Sequence, residues 1–248
     1  MSGHSKWHSI KHKKGAADKK RGKLFTKLIR EIVAAAKMGG GDINANPRLR
    51  TAVQTAKSNN MPADNIDRAI KKGTGDLQGE NYEEVVYEGY GPQGVAVLAF
   101  CLTDNRNRSA AEIRSIFNKA NGSLAGSGSV AWIFEKKGLL IIDSQKIEEE
   151  KLMDLVINAG AEDLKREGDQ YEVVTQPQDF ENVREALEKA SVETVSAELT
   201  MIPKNEVKVT AESARGVIHL IEALEENDDV QNVYANCDIP DEVIKEMS

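Results

Sequence analysis

Between residues 137 and 203 the apolar period switches repeatedly, and this alternation restricts the fold more than any other feature of the chain. GLLIID reads as a strand, KIEEEKLMDLVINA as a helix, EDLKR and YEVVTQ as strands, PQDFENVREALEKA as a helix and VETVSAELTMI as a strand. A βαββαβ order is that of the ferredoxin-like split unit. The flanking pieces read as a second copy cut in two. VVYEGY, VAVLAFCLT, a helix over 106–120 and SVAWIFE precede the unit; EVKVT, a helix over 211–226 and VQNVYANCDI follow it. One ferredoxin-like domain (137–203) is therefore expected inside a loop of another (82–136 plus 204–248).

Three helices come first. LFTKLIREIVAAAKM (24–38) puts Phe25, Ile29, Ile32, Val33 and Ala36 on one face, and the glycines at 39–41 end it. In NPRLRTAVQTAKSN, Asn46 is the expected N-cap with Pro47 at N1, and Leu49, Val53 and Ala56 face inward. PADNIDRAIKK opens at Pro62 and is closed by Gly73. The expected organisation is a basic flexible tail (1–22), a three-helix domain (23–72) and a Gly/polar linker (73–81) ahead of the sheet domains. The class is α+β: an N-terminal three-helix bundle with a basic tail, then two ferredoxin-like α/β sandwich domains, one inserted into the other.

Charge follows the same division. The whole chain carries −7. Residues 1–72 hold 17 Lys and Arg against 5 Asp and Glu, net +12, and the remainder is net −19. An asymmetry of this size points to a polyanion partner at the basic end. It is densest in HSKWHSIKHKKGAADKKRGK (4–23), with eight Lys/Arg, three His and a single acid, Asp18. Lys6, Lys11, Lys13, Lys14, Lys19, Lys20 and Arg21 are charges suited to phosphate oxygens, and Trp7, His8 and His12 add rings, Trp7 and His8 suited to stacking on bases. The basic stripe continues onto the first helix through Lys23, Lys27, Arg30 and Lys37, about opposite its apolar face. Arg48, Arg50 and Gln54 on the second helix are the residue types that reach base edges.

TDNRNRSAAEIR (103–114) is a second candidate. Arg106 and Arg108 lie in or beside the first turn of a helix, where cations are disfavoured by a few tenths to about 1 kcal/mol. Two readings stand: an external anion, or an internal acid such as Asp104 or Glu112. The Gly/Ser loop NGSLAGSGS (121–129) either follows a phosphate backbone or is a long turn.

Other chemistry finds less support. His4, His8 and His12 are spaced as metal ligands on a helix, but no thiolate stands near and the lysines repel a dication, so solvated histidines are expected. GYGPQG (89–94) matches G-x-G-x-x-G but runs into a strand, which suits a hairpin and not a dinucleotide site. Cys101 and Cys237 sit in strand-like apolar runs and read as small buried hydrophobes. No Ser/His/Asp or Cys/His arrangement, Walker A loop or H-E-x-x-H is present, and the many acids from 143 onward lie on helix faces where paired carboxylates and a solvated surface read alike. Apolar runs fall short of the ~18 residues of a membrane helix and no signal-like h-region opens the chain, so a cytoplasmic location without a membrane partner is expected.

GHSKWHSIKHKKGAADKKRGKLFTKLIREI, GGGDINANPRLR, NMPADNIDRAIKKGTG, YEGYGPQGVAVL, TDNRNRSAAEIRSIF, GSVAWIFEKKG and DDVQNVYANCDIP together resemble the YebC family, which includes the mitochondrial translational activator of cytochrome c oxidase subunit I. The resemblance spans almost the whole chain. It implies a three-domain cytoplasmic protein with no enzymatic activity, no cofactor and no small-molecule substrate. It also implies a nucleic-acid partner: DNA for a transcriptional regulator, or ribosomal RNA or tRNA for a ribosome-associated translation factor.

Overall fold

The computed structural model describes residues 18–240 together with 242, 243 and 246, with side chains from residue 22 onward. Three helices open it: α1 (Asp18–Gly39), α2 (Pro47–Ser58) and α3 (Ala63–Thr74). The first begins six residues earlier than its apolar pattern, so Lys19, Lys20 and Arg21 belong to a helix and not to a tail. Leu28, Ile32, Val33 and Ala36 of α1 close over Leu49, Val53 and Ala56 of α2 and Ile66 and Ala69 of α3. Asn46 caps two helices at once. Its Oδ1 accepts from Leu49 N at 3.1 Å, and its Nδ2 donates to Ala35 O and Gly40 O at 2.8 and 2.9 Å. Gly73 sets the α1–α3 approach, because a Cβ there would lie 2.5 Å from Val33 O and 2.6 Å from Ala36 Cβ.

The next elements are β1 (Glu83–Tyr90), β2 (Ala96–Thr103), α4 (Arg106–Lys119) and β3 (Ser123–Leu124). A separate compact unit, Trp132–Asn205, interrupts them with β4 (Phe134–Asp143), α5 (Glu149–Asn158), β5 (Ala161–Glu167), β6 (Gln170–Thr175), α6 (Phe180–Lys189) and β7 (Thr194–Pro203). The chain then completes the first sheet domain with β8 (Val207–Lys208), α7 (Ala211–Glu225), β9 (Val230–Ala235) and β10 (Cys237–Asp238).

Both sheets are antiparallel and four-stranded. The inserted unit has strand order β5-β6-β4-β7, that is second, third, first, fourth, the ferredoxin-like arrangement. Its core is Leu140, Ile142, Tyr171 and Val173 under Leu152, Val156, Val183 and Leu187. The outer sheet, β3-β1-β2-β9, reproduces that order with one exchange. β2, α4 and β3 make the first half and α7 with β9 the end, while β1, first in the chain, fills the slot of the third strand. The inserted unit occupies the chain position that strand would have had. Val97, Ala99 and Cys101 of β2 pack under Ile113 and Phe117 of α4 and Val217, Leu220 and Ile221 of α7.

Two expectations for the outer domain differ from the structure. SVAWIFE is not an outer strand: Ala131–Ile133 forms a 3-10 turn and Phe134 already pairs with Pro203 inside the inserted unit. EVKVT contributes only Val207 and Lys208, which pair in parallel with Cys237 and Asp238 outside the main sheet. GYGPQG is a β1–β2 hairpin turn, with Gln93 and Gly94 at φ 56° and 73°.

Candidate nucleic-acid interface

The sequence places the cations; the structure separates those already engaged from those that are not. Lys6, Trp7, His8, Lys11, His12, Lys13 and Lys14 lie outside the described residues, as do the side chains of Lys19, Lys20 and Arg21.

The stripe on α1 does not face solvent as an open phosphate ladder. Lys23 Nζ donates to Glu226 O at 3.0 Å and Lys27 Nζ to Glu225 O at 2.7 Å, both at the C-terminal end of α7. Carbonyls at a helix C-terminus carry partial negative charge, which attracts cations. Arg30 continues the row, its Nη1 reaching Asp228 O and the carboxylate of Asp229, while its guanidinium lies 5.4 Å from the Tyr82 ring centre. Lys37, about two turns further on, is exposed.

Asp229 is the hub of this region and was not singled out by sequence reasoning. Only 3% of it is accessible. Besides Arg30 it accepts from Ser109 Oγ at 2.6 Å, Arg108 Nη2 at 3.0 Å and Thr103 Oγ1 at 3.2 Å. Burial raises its pKa, but Ser109, Arg108 and Arg30 outweigh that and hold the carboxyl below its ordinary value. The two readings of TDNRNR are thereby separated. Arg108 is internally paired, with Asp104 at 2.7 Å as well as Asp229, and its main-chain N–H is capped by Asn105 Oδ1 at 3.1 Å. Arg106 is exposed and makes no ion pair with a described residue. Glu112 instead accepts from Asn227 Nδ2 at 2.7 Å.

The Gly/Ser loop also meets an internal anion. Glu88 on β1, 4% accessible, accepts from the main-chain N–H of Gly128, Val130 and Ala131 at 2.6, 2.7 and 2.8 Å. Burial opposes its ionisation, yet the three N–H groups prevail and lower its pKa. The loop is an anion nest already filled by the protein's own carboxylate.

On α2 the two arginines part company. Arg48 is gripped by Glu31 (Nε–Oε1 2.7 Å, Nη2–Oε2 3.1 Å) and reaches Glu84 on β1, so it does not present itself to a groove. The Glu31 hydrogen bond is the main reason its pKa rises further. Arg50 is exposed, bound only through Nη1 to Asn44 O at 3.2 Å. With Gln54 and Lys57 it forms an exposed i, i+4, i+7 row on a helix that contains no acid. Lys71 and Lys72, at the end of α3, are likewise exposed. Lys37, Arg50, Lys57, Lys71 and Lys72 make no ion pair with a described residue.

Cys101 and Cys237 are buried, and burial pushes both thiols up to about 12. Among the described residues no three His, Cys, Asp or Glu side chains are grouped to hold a metal, and no helix is long and apolar enough to cross a membrane.

Residues 5–76 match the model of the TACO1/YebC protein N-terminal domain, and residues 82–237 that of the TACO1/YebC second and third domain. Curated relatives share more than half their residues with this chain. A probable transcriptional regulatory protein of Geobacter sulfurreducens is 58% identical over all of both chains, and one of Natranaerobius thermophilus is 59% identical over 99% of each. The crystal structure of a conserved hypothetical protein from Aquifex aeolicus is 49% identical and superposes with a TM-score of 0.81, covering 93% of this chain and 96% of that one. The chain belongs to the TACO1/YebC family.

Proposed function

We propose that this protein is a non-enzymatic, cytoplasmic nucleic-acid-binding regulator of gene expression, and that it acts on DNA as a transcriptional regulator. The observation that carries the reading is the acid-poor N-terminal segment, net +12 over residues 1–72, joined to a folded surface where Lys37, Arg50, Lys57, Lys71 and Lys72 stay exposed and outside any described ion pair. The relatives' name as probable transcriptional regulators supports a regulatory role and DNA as its partner. The basic residues at 6–21 and Arg106 add further cations of the same kind.

A second reading, a translation factor contacting ribosomal RNA or tRNA backbone, draws on one observation. Arg48, one of two arginines on the helix suited to a groove, is held by Glu31, which favours a reader of phosphates over a reader of base edges.

Binding to duplex DNA and to single-stranded RNA across a salt series tests the proposal. Five or more neutralised phosphates give a log–log slope of about −4.5 or steeper on duplex DNA and about −3.5 or steeper on a single strand. Affinity independent of salt for both ligands refutes it. Crosslinking in cells followed by sequencing separates the two readings, promoter DNA supporting the first and ribosomal RNA the second.

A further inference from the structure

The helical domain and the outer sheet domain meet through contacts that all run in one sense. The cation stands on the helical side in each described case: Lys23 to Glu226 O, Lys27 to Glu225 O, Arg30 to Asp228 O and Asp229, Arg48 to Glu84. Beside them lies an open polar cleft of about 420 Å³ lined by Lys23, Arg30, Tyr82, Arg108, Glu226 and Asp228, among others. The cleft is open and its lining is mostly charged, and a junction between domains that rests on polar contacts permits relative motion.

The acceptors differ in strength. Lys23 is exposed and bound to a main-chain carbonyl, a partial charge in water; Arg30 reaches the buried carboxylate of Asp229. A phosphate oxygen is a full charge and a stronger acceptor than a carbonyl for the same ammonium. A polyanion arriving along α1 therefore competes with the outer domain for Lys23, Lys27 and Arg30.

We propose that these contacts are a clamp that nucleic acid opens: in the free protein the α1 cations fasten the helical domain to the end of α7, and on binding they exchange those carbonyls and Asp229 for phosphates, releasing the helical domain from the outer domain. The proposal rests on the nucleic-acid reading above and adds its regulation. Linkage is reciprocal, so whatever weakens the clamp tightens nucleic-acid binding by the factor with which nucleic acid weakens the clamp.

The test uses the full chain with Ala45→Cys and Asn118→Cys, both exposed positions, carrying a donor and acceptor dye. The native cysteines are 3% and 2% accessible and are poor competitors for label. Fluorescein-labelled single-stranded RNA and duplex DNA report binding by anisotropy, and energy transfer between the protein dyes reports docking. The clamp predicts that transfer changes over the same concentration range in which anisotropy saturates. It also predicts that Asp229→Asn shifts transfer without nucleic acid and tightens binding by about fivefold or more. Saturated binding with unchanged transfer overturns the clamp while leaving the nucleic-acid reading intact. A folded Asp229→Asn that binds as wild type overturns it too. If neither probe binds, the nucleic-acid reading fails and the clamp fails with it. Should Asp229→Asn not fold, energy transfer in the otherwise wild-type chain decides alone.

Discussion

Lys and Arg do opposite work in the helical domain and in the inserted unit. In the inserted unit, Arg184 is held between Glu181 and Glu188, Lys137 by Glu162, Lys151 by Glu148, Lys165 by Asp163 and Lys189 by Glu185. Over residues 137–203 acids outnumber bases by 16 to 7, and most of the cations find a partner within a few residues or across one strand. The helical domain has four acids over residues 23–72, Glu31, Asp42, Asp64 and Asp67. Arg48 is shared between Glu31 and Glu84 and Arg68 binds within α3, but the other cations reach the outer domain through Lys23, Lys27 and Arg30 or stay exposed at Lys37, Arg50, Lys57, Lys71 and Lys72. A local shortage of counter-charge turns a basic surface into one that binds something else.

The largest effect is expected where an outward cation is buried against its partner. Asp229→Ala leaves Arg30, Arg108, Ser109 and Thr103 without their shared acceptor, and loss of one member of a buried ion pair costs about 3–5 kcal/mol. Denaturant unfolding should show the outer domain destabilised by that order. A loss below about 1 kcal/mol would mean the pair is solvated and the contrast with the inserted unit is weaker than drawn.

Glu88 sharpens the comparison because its partners are main-chain N–H groups and no cation is involved. Glu88→Gln should cost about 1–3 kcal/mol near neutral pH. Glu88 and Asp229 both have folded-state pKa values below their unfolded ones. Each therefore stabilises the fold fully above the ordinary carboxylate range near pH 4, and that contribution is lost as pH falls through the lowered values. Glu88→Gln should consequently differ from wild type near neutrality and converge with it as pH falls through the lowered value. Parallel stability curves through that range would contradict the assignment.

Smaller still are single surface pairs. Arg184→Gln in the inserted unit should change stability by less than about 1 kcal/mol and leave nucleic-acid affinity alone. Arg50→Gln should leave stability alone and lower affinity. Thermal melting beside anisotropy titration checks both; a change of affinity for Arg184→Gln alone would reverse the picture.

Much of the fold was legible in the sequence because the signals are local. The periods at 137–203, Asn46-Pro47 at the start of α2 and the glycines after α1 act within one element. The outer domain was harder to read, since β1 fills a slot whose sequence neighbour is the inserted unit, and no local period records that exchange. The site was half legible. The sequence leaves two readings open for TDNRNR and for the Gly/Ser loop; Arg108 and the loop meet internal anions, Asp229 and Glu88, that are 121 and 40 residues away from Arg108 and Gly128. An acid within or just before a strand, as in EGYG and DDVQ, is the trace they leave. The α1 stripe looked solvent-facing because amphipathicity gives a helix an outer face without saying whether another domain sits on it.

The central claim is that the cations of the helical domain, where acids are few, and not cations in general, form the nucleic-acid surface. Two double variants remove equal charge from the two regions, Arg50→Gln/Lys57→Gln on α2 and Arg184→Gln/Lys189→Gln on α6. The salt dependence of duplex DNA and RNA binding should lose about 1.8 from its log–log slope on DNA, and about 1.4 on a single strand, in the first variant. In the second it should match wild type. Equal losses in both, or a loss confined to the inserted unit, would contradict the account.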